Sequence, residues 1–303
     1  MKALVLAAGL GTRMKPFTFL RAKASLPLFD VPFIHYPLQY LSVNGIGEAV
    51  INLHAHPDSV RKVAGNQYGN LRISYSHEPE ILGTAGAMRK AAGLLGDEPF
   101  VVMNSDMIMD IPLQEVLAYH HNLNSDVTLV IMKDARFAHY GGLYFEGDPL
   151  RLSGFRSGPG ESYHYTGFQI VSPKLLESIP ADRKSGIFTD IYPSHINDWK
   201  IHGFVYQGFW KEMGNLKEYL RTSLEILRNP LPEHLQPAGA SSSLISNRAD
   251  IPKDAEIFES IIMDGAVIEG GSRVEHSIIG WDVPISGRIR NQALARGLLP
   301  YYI

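Results

Sequence analysis

Arg13, Lys15 and Lys23 place three cations in one short stretch that also carries Gly9 and Gly11. The stretch follows directly on an apolar run, Ala3 to Ala8, of strand length. Such a run reads as a buried strand. Glycines let a backbone approach a ligand closely, and successive inward amides form an anion-binding concavity. With the cations added, this chemistry suits a nucleoside triphosphate. Two commoner phosphate motifs do not fit. The P-loop Gly-Lys-Ser/Thr is absent, and the dinucleotide fingerprint needs a third glycine where Met14 stands. Asp30 lies at the distance of a ribose-binding acid, but Phe29-Asp30-Val31-Pro32 reads as a turn.

A carboxylate at the end of a second apolar run completes the pattern. Asn104-Ser105-Asp106 follows Phe100 to Met103. Asp106 reads either as a turn or N-cap residue or as an oxygen ligand for Mg²⁺, which takes one or two protein carboxylates beside phosphate oxygens. His54 with His56, and His120 with His121, offer no third ligand and no zinc spacing, so they read as satisfied or solvated histidines.

The run LAAGLGTR, then Pro16, then Lys23 in a Lys-x-x-Leu-Pro context, resembles the sugar-1-phosphate nucleotidyltransferases. The resemblance continues through Leu82-Gly83-Thr84-Ala85-Gly86, Tyr165-Thr166-Gly167 and Trp210-Lys211-Glu212-Met213-Gly214 to about Arg228. It implies a GT-A-like α/β fold that joins a nucleoside triphosphate to a sugar 1-phosphate and releases pyrophosphate. By the same resemblance, Arg13 and Lys23 are the catalytic cations. Leu6, Ala8, Gly9, Gly11, Thr12, Arg13, Gly83 and Thr84 hold the nucleotide. Gly142, Glu161 and Thr166 hold the sugar, and Asp106 and Glu212 hold Mg²⁺.

Three departures from the family pattern stand out. Ala22 and Ala24 replace the prolines that flank the lysine. Glu212 replaces the second metal-binding aspartate. The Glu-Lys-Pro sugar motif is missing, with Phe155-Arg156-Ser157-Gly158-Pro159 in its place. Glu161 is the carboxylate at hand to replace it, against a reading as a solvated loop residue. Asn52-Leu53-His54, the Leu-Gly-Thr-Ala-Gly turn and the short tail look most like mannose-1-phosphate guanylyltransferases and their heptose-phosphate relatives. The alternatives are a uridylyl- or thymidylyltransferase of the same fold, or a non-catalytic regulatory protein that binds nucleotide sugars. A GT-A glycosyltransferase would need an Asp-x-Asp motif that Asn104-Ser105-Asp106 lacks. A β-helix acyltransferase would need more coils than the tail supplies.

Composition bounds the rest. The chain has 303 residues, enough for one large domain and an appendage. A net charge of −3 provides no basic field for nucleic acid or an anionic membrane. With no cysteine there are no disulfides or thiolate metal sites. The first apolar run is too short for a signal peptide, and no run approaches a membrane span, so the cytoplasm is expected.

The elements that must position these residues alternate. Helices are expected over Pro32–Val43, Pro57–Ala64 and Thr84–Leu95, the last with Thr84 as N-cap. Strands are expected over Glu48–Leu53, Leu71–Tyr75, Phe100–Met103 and Asp126–Met132. That alternation argues for a mostly parallel sheet covered by helices on both faces, with ligands beyond the strands' carboxyl ends. Arg151–Tyr163 reads as a loop, and Asn215 with Glu218 caps a last helix. The catalytic domain spans 1–228, and a Pro- and Ser-rich linker spans 229–243. In 244–303 apolar residues recur every six positions through Ile245, Ile251 and Ile257, and again through Ile262, Ile268 and Val274. This is the pattern of a left-handed β-helix of about two coils. The β-helix or the apolar tail Leu298–Ile303 is the expected surface for a homo-oligomer.

Overall fold

A computed structural model describes residues 1–133, 142–181 and 183–303. The apolar runs form the middle of a ten-stranded sheet. From edge to edge its strands are Leu143–Glu146, Arg151–Phe155, Ile201–Val205, Val127–Met132, Glu161–Val171, Phe100–Asn104, Lys2–Leu6, Glu48–Leu53, Leu71–His77 and Gln67–Tyr68. Side chains alternate across it. Ala3 and Val5 join Leu38 and Val60 on one face, while Leu4 joins Met88 and Leu95 on the other. Both faces are therefore buried, which explains why these strands read as continuous apolar runs.

Lys2–Leu6, Glu48–Leu53, Leu71–His77 and Phe100–Asn104 run parallel, as expected from the alternating pattern. The remainder corrects the expectation of a mostly parallel sheet. Glu161–Val171 runs antiparallel between Phe100–Asn104 and Val127–Met132. The expected loop over Arg151–Tyr163 is largely strand as well, pairing with Leu143–Glu146. Its glycines read as loop formers but serve close approach. A Cβ at Gly160 would lie 1.9 Å from the Phe145 carbonyl oxygen.

Helices His35–Val43, Pro57–Ala64, Gly83–Leu95 and Leu113–Asn122 cover the sheet, while Leu216–Arg228 packs in a separate core with Phe17, Phe33 and Met263. The first begins three residues later than expected because Val31–Pro32 pairs with Pro27–Leu28 in a hairpin. Asp30, with φ 65°, occupies that hairpin's turn. Asn215 Oδ1 accepts the Glu218 N–H at 2.9 Å and caps the last helix. Among the described residues, no helix is long and apolar enough to cross a membrane.

Beyond the linker, which holds a short turn at Glu233–Leu235, short strands stack in parallel ladders. Ile245, Ile262, Ile279 and Leu294 lie above one another in four levels. Ile262, Ala266, Ile268 and Val274 form a buried core with Ile279 and Ile285. The terminal strand Tyr301–Tyr302 adds antiparallel to Gln292–Leu294. This stack leans on the glycine-rich loop. Trp281 meets the buried Phe17 edge-on at 6.2 Å, and the Arg21 guanidinium lies 4.1 Å over the Trp281 ring. Tyr301 meets Phe19, whose ring lies under the Lys15 ammonium.

Candidate active site

The carboxyl ends of Lys2–Leu6, Glu48–Leu53 and Phe100–Asn104 open into a cavity of about 460 Å³. Leu6, Ala8, Gly9, Gly11, Thr12 and Arg13 line one side, and Gly83 and Thr84 line another. Lys23, Asp106 and Glu212 face the same space.

The loop is built from its own hydrogen bonds. Gly11 adopts φ 61°, and a Cβ there would lie 2.8 Å from Thr18 Cγ2. The Thr18 hydroxyl donates to the Gly11 carbonyl at 2.9 Å. Phe17 anchors the loop in the core that also takes Met14. The two alanines beside Lys23 are buried, and the Ala22 N–H donates to Ser59 Oγ at 3.0 Å. Proline has no N–H and could not make that bond. The Lys23–Ser25 turn is closed further by Leu26 N–H on the Lys23 carbonyl and by Ile34 N–H on the Ala24 carbonyl, both at 3.0 Å. Hydrogen bonds thus do the bracing that the family's prolines would do.

The acidic pair is assembled by strand pairing. Trp210–Glu212 runs antiparallel to Met107–Met109, setting Glu212 opposite Met107. The Met213 N–H donates to the Asp106 carbonyl at 3.1 Å. Lys23 Nζ forms a direct ion pair with Asp106 Oδ2, and both side chains are largely buried. Burial first, and then the neighbouring Asp106 carboxylate, push the Glu212 carboxyl up to about 7 against the pull of Lys23 and Arg13. A buried carboxyl whose ionisation is opposed by a neighbouring carboxylate is a fit for a divalent cation, whose charge would offset both. Among the described residues no cluster of three or more His, Cys, Asp or Glu side chains is set to hold a metal. A pair suffices for Mg²⁺, which takes its remaining oxygens from phosphate and water.

The residues expected on the sugar side are placed differently from one another. Gly142 lines a second hollow of about 310 Å³ together with Arg156, His164, Tyr165, Phe188 and Thr189. Thr166 is buried, and its hydroxyl donates to the Val130 carbonyl at 2.8 Å. The Gly167 bulge beside it turns this side chain into the sheet; a Cβ at Gly167 would lie 2.6 Å from Asn104 Nδ2. Glu161 is exposed, pairing with Lys133 at 2.6 Å and accepting the Tyr163 hydroxyl at 2.8 Å. Thr84 is not the N-cap. Leu82 holds that position, and the Thr84 hydroxyl accepts the Ile187 N–H at 2.9 Å.

Two residues at the cavity floor were not assigned to the site from the sequence. Asn52 Oδ1 accepts the Ala7 N–H at 2.7 Å, and Asn52 Nδ2 donates to Glu78 Oε1 at 2.8 Å. Glu78 Oε2 accepts the Leu82 N–H at 3.0 Å, and Glu78 is 1% exposed. This chain of bonds ties the glycine loop to the Leu82–Gly86 turn beneath the cavity. The available signal was a polar residue inside the apolar strand Glu48–Leu53. The histidines are accounted for otherwise: His54 bonds the Glu78 carbonyl, His56 the Thr18 carbonyl, and His120 the Thr128 hydroxyl.

Comparison with known proteins adds a consistent context. Residues 2–229 match the family described as nucleotidyl transferase. The chain is 30% identical to the mannose-1-phosphate guanylyltransferase catalytic subunit beta of Danio rerio, over 96% of this chain and 89% of that one. It is 33% identical to a mannose-1-phosphate guanyltransferase of Aspergillus oryzae, over 73% of this chain and 62% of that one. Among solved structures, HddC from Yersinia pseudotuberculosis superposes with a TM-score of 0.65 at 22% identity, covering 74% of this chain and 99% of that one.

Proposed function

The chain belongs to the nucleotidyl transferase family, and we propose that it transfers a nucleotidyl group from a nucleoside triphosphate to a sugar 1-phosphate. The observation that carries this is the convergence of Arg13, Lys23, Asp106 and Glu212 on one cavity beside the glycine loop. An oxygen of the sugar phosphate attacks the α-phosphorus, and the bond from that phosphorus to the pyrophosphate oxygen breaks. The attacking oxygen is already anionic, so the reaction needs no general base. Catalysis then comes from positioning and charge.

Each residue has a stated part. Arg13 stabilises the departing pyrophosphate, with Lys15 close by in the same loop. Lys23 binds the α-phosphate or the sugar phosphate. The loop from Ala8 to Gly11 borders the space for the phosphates, and the Asn52–Glu78 pair, with Asn52 accepting the Ala7 N–H, fixes the floor beneath them. Asp106 and Glu212 would hold Mg²⁺, which supplies charge neutralisation on the phosphates when bound. Gly142 and the hollow around it receive the sugar.

The substrates we assign are GTP and mannose 1-phosphate or a heptose 1-phosphate of the same configuration. The mannose-1-phosphate guanylyltransferase relatives that span most of the chain support this assignment. Residues 1–228 form the catalytic unit, 229–243 the linker, and 244–303 a short left-handed β-helix. The four stacked levels through Ile245 and Leu294 support that reading of the tail. The test is pyrophosphate release with Mg²⁺, each of GTP, UTP, dTTP, CTP and ATP, and a panel of sugar 1-phosphates. Release that requires GTP and a manno-configured sugar phosphate is expected. Release with UTP or dTTP alone would replace the substrate assignment, and silence across the panel would overturn the activity.

A further inference from the structure

The turn Leu82–Gly86 lines the nucleotide cavity through Gly83 and Thr84, yet its Leu82, Ala85 and Gly86 amides already have protein partners. The Ser185 carbonyl accepts the Ala85 N–H at 3.1 Å and the Gly86 N–H at 3.3 Å. The Ser185 N–H in turn donates to the Leu82 carbonyl at 2.8 Å. The fit is close enough to exclude side chains: a Cβ at Gly83 would lie 2.5 Å from the Ser185 oxygen, and one at Gly86 would lie 3.1 Å from the Arg183 oxygen. These glycines serve the close approach of a protein strap.

The strap continues as a single wide turn, Ile187–Ile191, closed by Asp190 Oδ2 accepting the Gly186 N–H at 2.6 Å. Turns of this wide type are frequent at functional sites. The Thr84 hydroxyl holds its first residue through the Ile187 N–H. The next two, Phe188 and Thr189, line the hollow that also contains Gly142 and Arg156. The Phe188 ring packs on Tyr165 at 4.8 Å and on Tyr192 at 5.3 Å. Thr84 itself lines the nucleotide cavity. One side chain therefore stands in one subsite and fixes the wall of the other.

We propose that Thr84 is a positioning residue for the sugar phosphate: it mounts the Ser185–Ile191 strap and thereby sets Phe188 and Thr189 against the sugar. The proposal rests on the reading of the second hollow as the sugar's subsite. Loss of the hydroxyl leaves the Ile187 N–H without its partner and lets the wall drift, while the nucleotide's own contacts on the glycine loop persist.

The test compares wild type, Thr84→Val and Thr84→Ser by pyrophosphate release, with KM measured for each substrate separately. Thr84→Val is expected to raise KM for the sugar phosphate about tenfold, the effect of one hydrogen bond, and by more than it raises KM for the nucleotide, whose cavity Thr84 also lines. Thr84→Ser, which keeps the oxygen, is expected to restore the wild-type value. Phe188→Leu provides a second variant on the strap, with the same selective rise in sugar-phosphate KM. A rise confined to the nucleotide KM, equal rises in both, or no change would overturn the proposal while leaving the activity standing. A wild-type chain that releases no pyrophosphate with any pair overturns the functional reading and this proposal with it.

Discussion

Lys23 and Asp106 are joined by a direct ion pair across 83 residues of sequence, with both side chains largely withdrawn from solvent. The pair links the turn that follows the glycine loop to the end of the strand Phe100–Asn104. Each partner holds the other in place where the phosphates would react. Removing either charge from such a water-poor site lowers transition-state stabilisation steeply. Lys23→Ala and Asp106→Asn are each expected to reduce turnover on the order of a hundredfold or more. The double variant should lose less than the product of the two. Unchanged turnover in a folded single variant, followed by circular dichroism, would remove that residue from the site.

Glu212 carries the family departure and the raised carboxyl. If it shares the cation with Asp106, Glu212→Gln should raise the Mg²⁺ concentration for half-maximal activity by about tenfold or more. Chelation with EDTA should stop turnover, and added Mg²⁺ should restore it. A Mg²⁺ titration that does not move in Glu212→Gln would exclude this residue as a ligand.

Asn52 satisfies Ala7 and Glu78 at once, both in buried positions. Asn52→Leu keeps the branched shape, with bulkier methyl groups, but orphans a backbone N–H and a carboxylate oxygen. The expected loss is about 1–3 kcal/mol in urea unfolding, with a raised KM for the nucleotide. An unfolding midpoint equal to wild type would show that the floor network contributes nothing.

Stability should fall in mild acid through His120. Burial, and then the neighbouring His121, lower its pKa to about 4 from 6.5. The folded chain keeps the ring neutral while the unfolded chain protonates it, so protons favour unfolding between those values. The contribution is complete above about pH 6.5 and is lost progressively toward pH 4, on the order of 1–3 kcal/mol. His120→Gln should flatten that part of the pH–stability curve. An unaltered curve would place the acid sensitivity elsewhere.

Trp281 supports the loop that carries the cations. Trp281→Ala removes the edge contact with Phe17 and the platform under Arg21. A severalfold rise in KM for the nucleotide is expected, although the residue lies outside the catalytic unit. Full activity in that variant would reduce the contact to simple packing.

Much of this site was legible because its parts are short and local. An apolar run ending in glycines and cations reads as a strand followed by a loop, and Lys2–Leu6 with Gly9 to Arg13 lining the cavity takes that form. Ile245, Ile262 and the residues between them declared their stack by period alone. What stayed hidden was set by partners distant in sequence. The Gly- and Ser-rich stretch from Arg151 reads as a loop because strand pairing with Leu143–Glu146 leaves no trace in local composition. Thr84 looks like a helix cap until Ile187 is brought to it. Asn52 looks like a strand residue until Ala7 and Glu78 close around it.

The contact between the stack and the glycine loop also constrains how such chains can be recombined. The linker invites the view that the tail is an exchangeable cassette. Yet a Cβ at Gly280 would lie 3.0 Å from the Phe17 ring and 2.8 Å from the Leu294 carbonyl oxygen. A hybrid with its first 228 residues from one homologue and its tail from another must inherit Phe17, Gly280 and Trp281 as a matched set. Where the junction respects only the linker, the graft would fail at the loop rather than at the seam.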